Sequence, residues 1–194
     1  SLIDSQSLKP LLNPAVGYLL DSADQADQEV GLQAVASYRI SGFQQSIIQL
    51  LNDSDSSPTV LTRAIAALQI KPSENALDTL EQIFEKPSYD FEIRLASLNA
   101  LIRSNRDADR QSLASFQNSL SDFQRNEFIK TFSASKPGSL AIVSLLEDGS
   151  LSEDQIDTWN LRRIISNRID SKRLTDLFEK RESQKLAQYQ QTYD

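Results

Sequence analysis

Between residues 58 and 104 the chain reads PTVLTRAIAALQIKPSENALDTLEQIFEKPSYDFEIRLASLNALIRS. Apolar residues recur there every three to four positions, broken twice by short polar stretches, which predicts helix, break, helix, break, helix. The first and third helices resemble each other. Leu61, Ala64, Ala67 and Leu68 answer to Ile93, Ala96, Ala100 and Leu101. This is one period of a helical repeat, and the remaining chain follows the same pattern.

Two families of helices alternate along the sequence. Anchors of the first are Leu19, Leu50, Ile83, Phe116, Leu145 and Leu177, spaced 31, 33, 33, 29 and 32 residues apart. Anchors of the second are Ala34, Ala64, Ala96, Phe128 and Leu161, spaced 30, 32, 32 and 33. Two interleaved ladders of near-constant period predict stacked two-helix repeats. The expected fold is all-α: an α-solenoid, a right-handed superhelix of about five to six repeats. Residues 1–178 form one array in this reading, and residues 179–194 a helical extension or linker.

Helix boundaries follow the same division. Ser57 before Pro58 is an N-cap with proline at the first helical position, where its missing N–H costs nothing. Ser121-x-x-Gln124 and Ser152-x-x-Gln155 fit capping boxes opening the fourth and fifth helices of the second family. Pro72, Pro87 and Pro137 fall in breaks or helix starts. Small side chains at Ala34, Ala64 and Ala96 let neighbouring helices approach, while Leu68, Leu98 and Leu101 fill the space between layers. Phe128 and Phe132, then Trp159, Leu161, Ile164 and Ile165, replace that pattern with bulk. The array is expected to be least regular between residues 121 and 165.

Composition narrows the chemistry. The 194 residues include no Cys, His or Met, so thiolate nucleophiles, imidazole bases, disulfides and zinc or haem ligation are excluded within them. No apolar run approaches the roughly 20 residues of a membrane span. The opening SLIDSQSLKP has neither an initiator Met nor a signal-peptide pattern, and reads as an excised piece or a processed product. Net charge is −7 and unevenly placed: residues 1–97 hold 6 Lys and Arg against 13 Asp and Glu, and residues 98–194 hold 14 of each. Within 162–185, eight basic residues face four acidic ones. An acidic front with a locally basic end argues against a nucleic-acid reader, which needs a broad basic face.

Several residue groups invite a functional reading. Asp90 with Arg94, and Asp122 with Arg125, open two successive helices of the second family, with Arg63 and Arg162 at comparable places. Recurrent Asp and Arg at helix starts predict charge-assisted stitching of repeat to repeat, in preference to a recognition stripe. Asn52 to Ser57 alternates oxygen side chains like a calcium loop but lacks the turn glycine and closing glutamate, so a solvated turn is favoured. Asp21, Asp24, Asp27 and Glu29 read as a charged turn and helix start. Trp159, the only Trp, is placed with Ile156 and Leu161 on the apolar side, as core in preference to a binding residue. The basic cluster Arg162, Arg163, Arg168, Lys172 and Arg173 reads as a solvated end helix, in preference to a docking surface for a neighbouring domain or an acidic partner. No catalytic, cofactor-binding or metal-binding residue emerges, and no cofactor is expected.

On these ladders, and above all on the Asp-x-x-x-Arg-x-Ala-x-x-x-Ala-Leu run from Asp90 to Leu101, residues 8–180 resemble HEAT or HEAT-like repeats of the armadillo class. The stretch LLEDGSLSEDQIDTWNLRRIISNRIDSKRLTDLFEKRES is similar to the last repeats of large exported proteins of Planctomycetes and related bacteria. Those combine a dehydrogenase-like β-propeller, a HEAT-like array and a c-type cytochrome domain. That resemblance implies a periplasmic or extracellular place and a Cys-x-x-Cys-His haem motif beyond Asp194; no such motif lies in this chain.

The leading expectation is a non-catalytic scaffold or protein-interaction segment of a larger protein, monomeric as a fragment. Its partner would be a protein or a neighbouring domain of the same chain, with no nucleic acid and no membrane insertion. An inert spacer in a haem-containing redox protein is one alternative. A HEAT-like DNA glycosylase is another, disfavoured by the charge balance, with only Trp159 and Asp157 to offer.

Overall fold

The computed structural model describes residues 5–69, 71–104, 110–167, 169–170 and 172–193. Among the described residues the protein is all-α, with eleven α-helices and no strand. They are α1 (Ser5–Leu20), α2 (Gln25–Tyr38), α3 (Gln44–Asn52), α4 (Pro58–Leu68), α5 (Glu74–Glu85), α6 (Phe91–Arg103), α7 (Arg110–Asn118), α8 (Asp122–Phe132), α9 (Lys136–Glu147), α10 (Thr158–Ser166) and α11 (Lys172–Tyr193). A one-turn 3-10 helix, Glu153–Gln155, precedes α10. Each of the eleven ladder anchors falls in a different helix, in order from Leu19 in α1 to Leu177 in α11.

By its own contacts the chain divides into two compact units, Ser1–Arg106 and Asp107–Asp194. In the first unit α1 packs on α2, α3 on α4 and α5 on α6. A second set of contacts links alternate helices: α2 lies on α4, α4 on α6, and α3 on α5. Leu32, Val60, Ala64, Ile65, Leu68, Leu80 and Leu98 are completely buried between them. The second unit pairs α8 with α9 and α10 with α11. Its core is bulkier: Phe128 stacks on Phe132 at 4.4 Å between ring centroids and meets Phe116 of α7 edge-on at 6.3 Å.

Most helix starts follow the sequence chemistry. Ser57 accepts from the Val60 N–H with Pro58 at the first position, and Ser121 with Gln124 forms the full capping box. The second box departs from expectation. Ser152 and Gln155 close the 3-10 turn, and α10 begins later, capped by Asp157, whose carboxylate accepts from the Asn160 N–H at 2.7 Å. A carboxylate N-cap holds an orphan helix donor at least as well as a serine hydroxyl, so the helix starts where Asp157 stands. Helix α1 also runs through Pro10 and Pro14, each of which removes a helix donor.

Two glutamines join hairpin to hairpin in the first unit. Gln25, the first residue of α2, donates to the Asp55 carbonyl at 2.7 Å and accepts from the Ser57 N–H at 3.1 Å. Gln44, the first residue of α3, donates to the Lys71 carbonyl at 2.7 Å and accepts from the Ser73 N–H at 2.9 Å. Each amide thus bridges residues n and n+2 of a distant loop, and in each case residue n+2 is the N-cap of the helix two places on. A side-chain amide presents a donor and an acceptor side by side, as that spacing requires. Lys71 sits at a φ of 52°, an uncommon conformation for a residue with a side chain, and turns its carbonyl to Gln44. Gln44→Ala is expected to lower stability by about 1–2 kcal/mol, the usual net worth of two hydrogen bonds. Gln44→Glu, which cannot donate to Lys71, should lose at least as much. Chemical denaturation followed by far-UV circular dichroism checks both; unchanged midpoints would show that the bridge carries no stability.

Candidate interaction surface

Both ends of α10 are fastened. At its start Asp157 also accepts from the Asn160 side-chain amide at 2.9 Å. That turns the Asn160 carbonyl oxygen toward the buried Ser133 hydroxyl, which donates to it at 2.9 Å. At its end Asn167 donates to the Ser133 carbonyl at 3.0 Å and to the Ser139 hydroxyl at 2.8 Å. Arg163 donates to the Lys130 carbonyl. Ser133, just past the end of α8, is thus bonded from both ends of α10, through Asn160 and Asn167. Buried polar groups satisfied in this way hold α10 in one position against the end of α8.

Each of the two helices carries one large exposed aromatic near its start. Trp159 is 65% exposed and Phe123 72% exposed, each the second residue of its helix. This corrects the core placement of Trp159. Ile156 and Leu161 are completely buried, but Ile156 precedes the helix. Trp159 stands two positions before Leu161, about 200° away around an α-helix, and so faces the other side. Arg163, one turn on, lies over the Trp159 ring at 5.6 Å from its centroid, within cation–π range. On α8, Phe123, Glu127 and Lys130 follow one another at helical spacing, with Lys130 bonded to Glu127 at 3.2 Å.

The basic residues singled out from sequence are only partly gathered. Arg162 pairs with Glu182 of α11 at 2.9 Å. Arg163 has the Trp159 ring and the Lys130 carbonyl. Lys172 is exposed at the start of α11 and, with Glu153, Asp176 and Lys180, lines an open cleft of about 470 Å³. Arg168 lies outside the described residues, as does the side chain of Arg173. An adjoining cleft of about 500 Å³ is lined by Ser152, Asp154, Lys180 and Arg181 among others. There Arg181 donates to the carbonyls of Glu153 and Ile156, pinning α11 to the preceding loop. The Ser152 hydroxyl, then its own backbone N–H and the nearby Arg181, hold the exposed Asp154 carboxyl below the usual carboxylate range.

The Asp and Arg pairs work closer to home than a ladder between repeats. Arg94 donates to the Phe84 carbonyl at 2.8 Å and lies 6.0 Å from the centroid of the Phe84 ring, fastening α6 to the end of α5. Partial burial draws its guanidinium below the usual arginine pKa. Asp90 stands at the α6 N-cap without a capping bond from its side chain. Arg125 bonds Asp122 of its own helix at 2.8 Å and the Leu120 carbonyl at 2.9 Å. Arg63 does cross between hairpins, to Gln33 at 2.9 Å and Glu29 at 3.4 Å. The acidic and Asx-rich turns serve locally: Asp24 caps α2, Asp27 accepts from Ser22, and Asp53 accepts from the Asp55 N–H.

Compared with known proteins, the chain matches no family model, no curated protein and no solved structure. Among the described residues no helix is long and apolar enough to cross a membrane.

Proposed function

We propose that this chain is a HEAT-like helical-repeat scaffold with no catalytic role of its own, which presents a side of its helix rows to a protein or to a neighbouring domain. The observation that carries the reading is the pairing in the first unit. α2 packs on α4, α4 on α6 and α3 on α5, and the Gln25 and Gln44 bridges repeat one joint at that same two-helix interval. Anchors spaced 29 to 33 residues apart throughout the chain support extending that scheme to the second unit. Stacked units of this kind bury their apolar faces only against neighbours and leave the outer sides available for recognition.

Stacking has a consequence for truncation, because stability is then close to a sum of nearest-neighbour terms. Removing α1 and α2 from the chain is expected to leave the remaining helices folded, with a lower melting temperature and little change in helicity per residue. Circular dichroism of the truncated and full chains measures this. Collapse of helicity through the whole chain on loss of that one hairpin would mean a bundle wrapped round a single centre, and would end the repeat reading.

A further inference from the structure

Charge in the first unit is sorted by edge. Helices α2 and α4 start side by side at the Gln25 joint, and α3 and α5 at the Gln44 joint. Each hairpin folds back on itself, so α1, α3 and α5 end on one edge of the unit and α2, α4 and α6 on the other. Asp21, Asp53 and Glu85 stand at the ends of the first set, and Arg39, Lys71 and Arg103 at the ends of the second, each series repeating at 32 residues. Asp24, Asp55 and Asp90 give every turn of the first edge a second carboxylate, against Lys86 as its one cation. Helix dipoles do not account for the sorting. A dipole favours a cation at any helix end, yet α1, α3 and α5 finish in carboxylates.

The basic edge is the one left without partners. Arg39, Lys71 and Arg103 are exposed, and among the described residues none of their side chains has a carboxylate partner. Glu74, opening α5, is the one carboxylate in the sequence of these turns. Arg39 and Lys71 also share an uncommon backbone, with φ of 51° and 52°. Glycine fits such positions without strain, but the chain holds a long cation at both. Stacked helices lie roughly 8–10 Å apart, and an extended chain brings every third residue round at about 10 Å. We propose that this edge docks an extended acidic segment of another protein, laid across the three turns with one carboxylate on each of Arg39, Lys71 and Arg103. A long phosphate backbone would run on past the three cations into an acidic surround, residues 1–97 holding 13 Asp and Glu against 6 Lys and Arg. A short acidic segment ends where the cations do. The inference rests on the scaffold reading and names the partner of one edge of it.

The test titrates the full chain into a fluorescein-labelled peptide with Glu at every third position among Ser and Gly, read by fluorescence anisotropy at low salt. Binding is expected, and it should weaken as salt is added. Arg39→Gly, Lys71→Gly and Arg103→Ala should each weaken it about two- to fivefold, the worth of one exposed ion pair. The triple variant should lose about tenfold or more. Because glycine suits the backbone at residues 39 and 71, the melting temperature of those two variants should hold or rise while binding falls. A lower melting temperature with unchanged binding would give the cations a structural role and overturn the inference. A peptide of the same composition with its glutamates adjacent should bind less tightly. No binding to the folded chain overturns the inference, as does equal affinity for the two peptides or binding that the triple variant leaves unchanged. Binding of oligouridylate with none of the peptide overturns it in favour of nucleic acid. None of these results touches the repeat reading, which stands or falls on the truncation.

Discussion

Phe128→Ala is expected to remove about 3–5 kcal/mol of stability, the range for deleting a fully buried phenylalanine. The ring has no exposed surface, stacks on Phe132 and meets Phe116 of α7 edge-on. One side chain therefore joins α7 to α8 and fills the middle of the second unit. In the first unit the corresponding ladder positions are Ala64 and Ala96, where the neighbouring helices supply the volume. The aromatic geometry adds to the area term, since such ring pairs contribute about 0.5–1.5 kcal/mol beyond burial. Phe128→Leu, which keeps most of the volume, should cost about 1–1.5 kcal/mol. Urea unfolding followed by circular dichroism separates the two variants. If the units unfold separately, the loss should fall on one transition only. A loss below about 1 kcal/mol for the alanine variant would mean that the cluster collapses around the cavity without penalty.

Gly138→Ala should destabilise the protein although it places a better helix former in a helix. In an open helix the exchange gains roughly 1 kcal/mol. At Gly138, in the first turn of α9, an added Cβ would stand 2.3 Å from the Phe132 carbonyl oxygen and 2.9 Å from its carbonyl carbon and Cα. Those are backbone atoms at the end of α8, so no rotamer change relieves the clash and the α8–α9 hairpin must open. The expected cost is about 1–3 kcal/mol, the range for overpacking a close contact. Gly17→Ala is the control. Its Cβ would meet only a Phe43 ring carbon at 3.5 Å, so it should be neutral or stabilising. Melting temperatures of the two variants moving in opposite directions is the expected result, and a rise for both would refute the close approach at Gly138.

Helix order was legible because burial imposes a period, and the period survives changes of residue. Phe128 and Ala64 share a ladder position though they share no chemistry. Caps were legible where a hydroxyl and its partner stand three residues apart. They misled at Ser152, where the box is real but closes a single 3-10 turn, and the stronger start lies five residues on at Asp157. That offset also decided Trp159: moving the helix start changed which side the ring faces. The division at residue 106 has no counterpart in the periodicity, which runs through it unchanged. Long-range polar joints were illegible for a simpler reason. Nothing in QADQEV or QQSII says that a glutamine will reach a loop some thirty residues away, because the partner is set by packing. Of the candidate surface, the basic residues could be read from sequence. The exposed rings beside them could not, since the same pattern fits a core.

The Gln25 and Gln44 joints also bear on how such a chain can lengthen. Each joint takes one amide from the opening of a helix and one tight, serine-ended loop further along. A duplicated segment carrying both halves would meet its flanks with matching connectors at either edge. Gene duplication in steps of that interval would then leave every seam closed, whereas an insertion that splits a joint would orphan two backbone groups at once. Copy number can drift in whole modules, and the connectors dictate where the cuts fall.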